Sequence, residues 1–350
     1  MAPWGKRDDM ITHDTEPYNA EPPPEALAGR TLTPVDTFFV RGHGPIPTLD
    51  PDAWRLSVGG LVEHPMTLSL DDLHVRFPRR DVVATLQCAG NRRVGLQAVR
   101  PIPGETPWRS GAISTARWTG VSLADVLAHA VTRPDAAHVE FTAPDVSPEA
   151  RPSQAYGGSI PLAKATAGEV LLAWTMNGRP LPAVHGGPVR VVVPGYLGAR
   201  SVKWVTGVTV RDRPSENYFQ AVAYRLPEGG ALGPVAPGSD ILAPGENAVL
   251  PAGPVMVHGY AFGGEDRGVD RVEVSSDGGL FWRPADLDPA YGRWAWRLWR
   301  AVLDLPVGES TLVARAWDTD GACQPESAAS LWNPGGYVNN AWPRVRVVVA

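Results

Sequence analysis

Proline and glycine limit what this chain can become. The sequence holds 37 glycines and 36 prolines, spread along its length without a repeat period. Proline inside a helix removes a backbone donor and clashes with the preceding turn, and glycine loses more conformational freedom on folding than any other residue. Long helices are therefore not expected. Disorder is not expected either, because apolar runs of strand length lie between the breakers, such as Val189-Arg190-Val191-Val192-Val193 before Pro194-Gly195. The pattern predicts a β-rich fold with many turns and a few short helices.

Two helix starts carry their own caps. Ser69 precedes Leu70-Asp71-Asp72-Leu73, with acids in the first turn, and Ser122 caps the helix-spaced apolar run at residues 121–130. Residues 161–168 read as one short helix, and strands are expected at residues 38–43, 54–58, 82–86, 139–142, 189–195 and 202–210. Residues 1–35 are polar and include Glu21-Pro22-Pro23-Pro24, so they read as an extended arm lying on the surface of something larger. There is no regular βαβ rhythm and no Gly-x-Gly-x-x-Gly dinucleotide fingerprint.

A Pro/Gly stretch at residues 227–251 marks a boundary, after which the pattern changes to strands only. These fall at residues 255–262, 269–275, 294–299, 310–317 and 344–349, with turns at Asp277-Gly278-Gly279 and Asp318-Thr319-Asp320-Gly321. The expected organisation is α+β: a mixed catalytic domain with its N-terminal arm at residues 1–227, then an immunoglobulin-like β-sandwich at residues 228–350.

Several function classes are excluded at this level. A formal net charge of −5 offers no attraction to nucleic acid or to an anionic membrane surface. No apolar run approaches the roughly 18 residues of a transmembrane helix. The two cysteines, Cys88 and Cys323, provide no disulfide framework, zinc spacing or c-type haem attachment motif. Lys6-Arg7 is followed by Asp8-Asp9 with no apolar segment after it, so no secretory leader is expected. A cytoplasmic location is expected, or a periplasmic one if a leader has been removed.

The chemistry centres on one thiol. Cys88 lies in Ala84-Thr85-Leu86-Gln87-Cys88-Ala89-Gly90-Asn91-Arg92-Arg93, at the end of an apolar segment and before a tight turn and two arginines. Nearby positive charge favours the thiolate, the form that binds soft metals or attacks carbon. Four other segments have the composition of an anion or cofactor pocket. Arg41 and His43 flank a glycine. His185 and Arg190 flank Gly186-Gly187-Pro188. Gly198-Ala199-Arg200-Ser201-Val202-Lys203-Trp204 offers a turn with two cations, and Tyr224 lies near the domain boundary. Singly, each has an ordinary reading: a satisfied loop histidine, a solvated charge pair, a surface salt-bridge arginine.

Together these runs resemble the sulfite oxidase family of molybdenum–pterin enzymes, and the resemblance extends over nearly the whole chain. The blocks that carry it include Phe39-Val40-Arg41-Gly42-His43-Gly44-Pro45, the Cys88 run, Ser110-Gly111-Ala112-Ile113-Ser114-Thr115-Ala116-Arg117-Trp118, Ala155-Tyr156-Gly157-Gly158, the His185 and Gly198 segments, and Asn340-Ala341-Trp342. The resemblance implies one molybdenum–molybdopterin cofactor per subunit, with Cys88 as the protein's ligand to the metal, which a soft thiolate suits. Phe39, Val40, Arg41, Gly42, His43, Asp145, His185, Arg190, Ser201, Val202 and Lys203 match cofactor-holding positions. Arg41, Arg93, Trp108 and Tyr224, with Cys88, match the catalytic and substrate positions.

The implied activity is oxidation of sulfite to sulfate, with electrons passed to an external acceptor, oxygen or a cytochrome. No haem domain is expected in the chain, and the sandwich implies a homodimer. Reduction of nitrate, or of another oxyanion or S-oxide, is the alternative on the same fold. A thiol nucleophile activated by His43 or His185, and a scaffold role for the sandwich, are the readings from other classes. Two departures from the vertebrate pattern remove positive charge: Pro103 stands where a lysine is expected, and Gly335 where an arginine is expected. Each lost charge-assisted contact is worth about 1.5–3 kcal/mol of anion affinity. Arg293 or Arg297 is the candidate to fill the gap.

Overall fold

A computed structural model describes residues 3–350. Two five-stranded sheets build the first part of the chain. In one, the strands Arg179–Pro180, Leu171–Met176, Ile113–Ser122 and Arg79–Gln87 follow one another, all antiparallel, and Arg190–Val192 also pairs with Leu171–Met176. The other runs Met66–Ser69, Arg55–Gly60, Gly207–Arg211, His138–Ser147, Gln154–Pro161, and its pairing between Arg55–Gly60 and Gly207–Arg211 is parallel. Leu56, Val58, Val121, Val126, Phe141 and Val191 fill the core around them. Both capped helices form as read. Leu70–Arg76 closes a full capping box between Ser69 and Asp72, and the side chain of Ser122 accepts from Ala124 N at the start of Leu123–Ala130.

From Gly238 onward the chain forms two facing sheets. Gly238–Ala243, Gly253–Phe262, Arg297–Leu305 and Asp286–Leu287 make one; Ala248–Leu250, Arg344–Val349, Gly308–Asp318, Val269–Ser275 and Arg283–Pro284 make the other. Val257, Trp299 and Leu303 belong to the same core as Val272, Leu312, Ala314 and Val347 from the opposite sheet.

The strand read at residues 294–299 starts three residues later, as Arg297–Leu305. Trp294 and Trp296 leave the sandwich and dock on the strand that leads to Cys88. Thr85 N donates to Trp294 O (2.9 Å), and Trp296 N donates to Thr85 Oγ1 (2.8 Å). A second return comes near the C-terminus, where Val338 N donates to Ala89 O at 2.8 Å and Asn339 Nδ2 to Arg92 O at 2.8 Å. The Cys88 loop is thus held from two points of the C-terminal part.

The N-terminal arm is not a surface strap. Ile11–Thr15 and Tyr18–Glu21 form a hairpin whose second strand is buried throughout. Its polar residues serve buried backbone: the Glu21 carboxylate accepts from Arg109 N and Gly111 N, each at 2.7 Å, and from His13 Nε2 at 2.7 Å. Polar composition was a guide to solvent exposure only where no internal donor needed an acceptor.

Candidate active site

The strand Arg79–Gln87 delivers Cys88 to a tight loop. Cys88 N donates to Ala112 O (2.9 Å), and Asn91 N closes the turn on Cys88 O (3.0 Å). Glycine at position 90 leaves room for the Arg93 guanidinium to fold back over the turn, since a Cβ there would lie 2.7 Å from its carbon. Cys88 opens into a cavity whose wall mixes aromatic and apolar side chains with several buried cations.

Most of the residues singled out in the sequence meet there. Phe39, Val40, Arg41, His43, Asp145, His185, Arg190, Ser201, Lys203 and Tyr224 line the cavity with Cys88. Gly42 and Val202 stand just behind its wall: Gly42 N donates to Asn19 Oδ1 (2.8 Å), and Val202 O accepts from Val191 N (2.8 Å). Trp108 is fully buried, with the His13 ring edge-on at 4.8 Å. Arg93 lies behind the wall rather than in it: it is buried, with its guanidinium 5.3 Å from the Tyr337 ring centre, and Tyr337 packs 5.4 Å from the cavity residue Tyr224.

The wall is braced by buried cations. Arg190 donates from Nη1 to His185 O and from Nη2 to Ser201 O, both at 2.9 Å, tying two cavity loops together. Lys6, from the arm, places its Nζ 2.6 Å from His185 Nε2. On the opposite side His43 Nε2 lies 2.6 Å from Tyr224 OH, and the His43 ring stacks on Tyr156 at 4.6 Å. Burial holds both histidines well below their usual range, with neighbouring cations adding to the effect, so both are neutral. Burial likewise raises Tyr224 well above the usual phenol range.

Three polar groups make this a site for a ligand rather than a packed core. Lys203 Nζ and Asp145 Oδ1 are buried without a hydrogen-bond partner. Burial pushes the Lys203 ammonium down and the Asp145 carboxyl up, each partly restrained by the other. The Cys88 thiol is raised by burial, while Arg41 and Arg93 draw it back toward the thiolate. A soft metal at the sulfur, an anionic group at Lys203 and an N–H donor facing Asp145 would satisfy all three. Among the described residues no group of three or more His, Cys, Asp and Glu is arranged to hold a metal ion. A metal at Cys88 therefore takes its other ligands from the cofactor. The residues fit a molybdopterin in that sense.

Some sequence readings are corrected by the geometry. Arg92 is not one of the cations that act on the Cys88 thiol: its backbone is left-handed (φ 63°), and its side chain turns away to Ala341 O (2.8 Å) and Asp240 (3.5 Å). Arg200 is a buried strut on Leu232 O (2.7 Å) and Phe219 O (3.1 Å). Arg293 pairs with Asp266, and Arg297 holds Asp288 O and Val269 O; both line a separate cleft beside Trp294, so neither replaces the missing cations. His43 and His185 are engaged by Tyr224 and Lys6, which leaves the thiol-nucleophile reading without its base.

Other residues of the site were missed. Tyr156 lines the cavity and donates to Ala199 O (2.9 Å); its Tyr-Gly-Gly run was visible, since Gly157 permits a backbone approach that a Cβ would block at 2.8 Å from Phe141 O. Lys6, Asn19, Glu105, Glu149 and Tyr337 carried no local signal, because each reaches the site from a distant segment.

A cavity around one buried thiol, with an unpartnered lysine and aspartate in its wall and a β-sandwich following, is the arrangement of a cofactor-dependent oxidoreductase, and comparison with known proteins specifies it. Residues 43–219 match the family model for the oxidoreductase molybdopterin binding domain, and residues 237–350 that for the Mo-co oxidoreductase dimerisation domain. Mitochondrial sulfite oxidase of Homo sapiens is 44% identical over 372 residues, covering 98% of this chain and 67% of the human one. Sulfite oxidase of Arabidopsis thaliana is 38% identical over 368 residues, covering 94% of this chain and 91% of the plant one. Among solved structures, the sulfane dehydrogenase SoxCD from Paracoccus pantotrophus superposes with a TM-score of 0.83 at 30% identity, over 95% of this chain and 85% of that one. The chain belongs to the sulfite oxidase family of molybdopterin oxidoreductases.

Proposed function

We propose that this chain oxidises sulfite to sulfate, with water supplying the oxygen and two electrons and two protons released, and that the electrons leave to an external acceptor, oxygen or a cytochrome. The observation that carries the reading is that Cys88, Arg41, Tyr224, Lys203 and Asp145 line a single cavity. His185, Arg190, Ser201 and Lys203 would hold the pterin and its phosphate, the two cations through charge-assisted hydrogen bonds and the neutral His185 and Ser201 through ordinary ones. When bound, the molybdenum–molybdopterin supplies oxygen-atom transfer and a two-electron sink, with Cys88 as the protein's sulfur ligand.

The chain's own residues place the anion. Arg41 remains charged: burial opposes this, but Tyr224, Glu149 and Cys88 around it hold its pKa above the usual value. Its planar guanidinium presents paired donors to an oxyanion. With His43 neutral, an Nε2–H donated to the Tyr224 oxygen leaves the phenolic proton free for a substrate oxygen. Arg93 adds positive field from behind the wall. The exposed Val249, Met256, Val302, Val307 and Val348 of the sandwich support a homodimer through that domain.

The test is steady-state turnover of molybdenum-loaded protein with sulfite, and separately with nitrate, using several electron acceptors and donors. Turnover with sulfite is expected. Its absence with every acceptor, or nitrate reduction in its place, refutes the proposal.

A further inference from the structure

The two arginines whose charge acts on Cys88, Arg41 in the cavity wall and Arg93 behind it, are already matched by carboxylates. Arg93 Nη2 lies 3.1 Å from Glu105 Oε2, and Arg41 Nη2 lies 3.2 Å from Glu149 Oε1. Arg93 directs its other donors at carbonyls: Nε at Gly335 O (3.0 Å) and Gly336 O (3.3 Å), Nη1 at Thr106 O (2.8 Å). At 4% side-chain exposure, it is closed in on all sides. Glu105 stands two residues after Pro103, the position where the family resemblance expects a lysine, and Gly335, where it expects an arginine, contributes a carbonyl instead. Two cations of the expected anion pocket are gone, and Arg41 and Arg93 are each offset by an anion.

We propose that Glu105 sets the charge class of the oxyanion this site accepts: it is an internal carboxylate partner of Arg93, and it makes the pocket favour a singly charged oxyanion over a doubly charged one. The inference rests on the oxyanion substrate proposed above, which it narrows to the hydrogen sulfite form. The physical reason is Coulombic. An anion near Arg93 is also near Glu105, and the repulsion from that carboxylate is twice as large for a dianion as for a monoanion. Glu105 matters more than Glu149 because its arginine is the less exposed, 4% against 18%, so solvent screens the Glu105 pair less. Glu105 feels Arg41 and Glu149 as well as Arg93, which places it within the field of both arginines.

A purely structural role for Glu105, bracing Arg93, predicts the opposite sign: its removal would loosen Arg93 and weaken anion binding. Calorimetric titration of the cofactor-loaded protein separates the two. Sodium sulfate and sodium nitrate are titrated at low chloride into wild type, Glu105→Gln and Pro103→Lys, the last an exposed loop position that shifts the local charge while keeping Glu105. Glu105→Gln is expected to tighten sulfate about tenfold and nitrate about threefold or less. Pro103→Lys is expected to move sulfate in the same direction. Sulfate binding that is unchanged or weaker in Glu105→Gln overturns the proposal, and so does equal tightening of the two anions. The readout is binding, so a protein that never turned over sulfite would refute the proposed function and still report on Glu105.

Discussion

Lys6 Nζ and His185 Nε2 are 2.6 Å apart, although 179 positions separate them in the chain. The same ammonium donates to Val35 O (2.6 Å) and Phe38 O (2.8 Å), so one arm residue fixes both a cavity histidine and the segment that carries Phe39 to His43. The cofactor pocket is therefore completed by residues outside the stretch that matches the molybdopterin-binding family model.

Lys6→Met is expected to lower the molybdenum retained per protein chain several-fold, because His185 loses the partner that orients it. The far-UV circular dichroism should stay as in wild type. Metal analysis after gel filtration checks this, and wild-type molybdenum content in the variant would contradict it.

The same lysine predicts a pH dependence. Burial lowers its pKa from 10.5 to about 7, against the pull of Asp36. Between those values the unfolded chain keeps the proton and the folded chain has lost it, so this group's contribution to stability rises with pH, by at most about 1.4 kcal/mol per unit. Below pH 7 both states are protonated and the contribution is flat. Denaturant unfolding from pH 7 to 10 should show wild type gaining on Lys6→Met. Parallel stability curves for the two proteins would contradict this.

Tyr224→Phe removes the hydroxyl that faces His43 and that the proposed function turns toward the anion. The loss of one hydrogen bond to a charged ligand predicts a fall in kcat/KM of roughly tenfold to a hundredfold. Molybdenum content should not change. A variant that lost cofactor and kept full turnover per molybdenum would assign Tyr224 to cofactor retention instead.

Glu21→Ala tests the arm as structure. Glu21 is fully buried, and its removal orphans the N–H groups of Arg109 and Gly111 beside Trp108. At about 1–3 kcal/mol for each unsatisfied donor, a loss of about 3 kcal/mol is expected in urea unfolding. A loss below about 1 kcal/mol would mean that the loop finds other acceptors.

Much of this architecture was legible in the sequence because local rules acted there. Ser69 and Ser122 capped their helices, Pro194-Gly195 stopped its strand, and the alternation after Gly238 built the sandwich. The cavity wall was legible where its residues sit in runs with glycines, as at His43, His185 and Lys203. What was not legible depends on long-range partners. Arg92 and Arg93 are adjacent and chemically identical, yet the left-handed backbone at Arg92 sends one to Asp240 and the other to Glu105. Trp294 and Trp296 had the pattern of a strand, but a neighbouring domain offered them a better surface. Glu105 and Glu149 are ordinary loop acids until the fold sets them against Arg93 and Arg41.

The central claim is that the sulfur of Cys88 binds molybdenum. X-ray absorption at the molybdenum edge, on loaded wild type and on Cys88→Ser, tests it most directly. The account predicts a sulfur scatterer in wild type, beyond the two from the pterin, that disappears in the variant, together with loss of turnover while the pterin is retained. The same sulfur count in both proteins would contradict it.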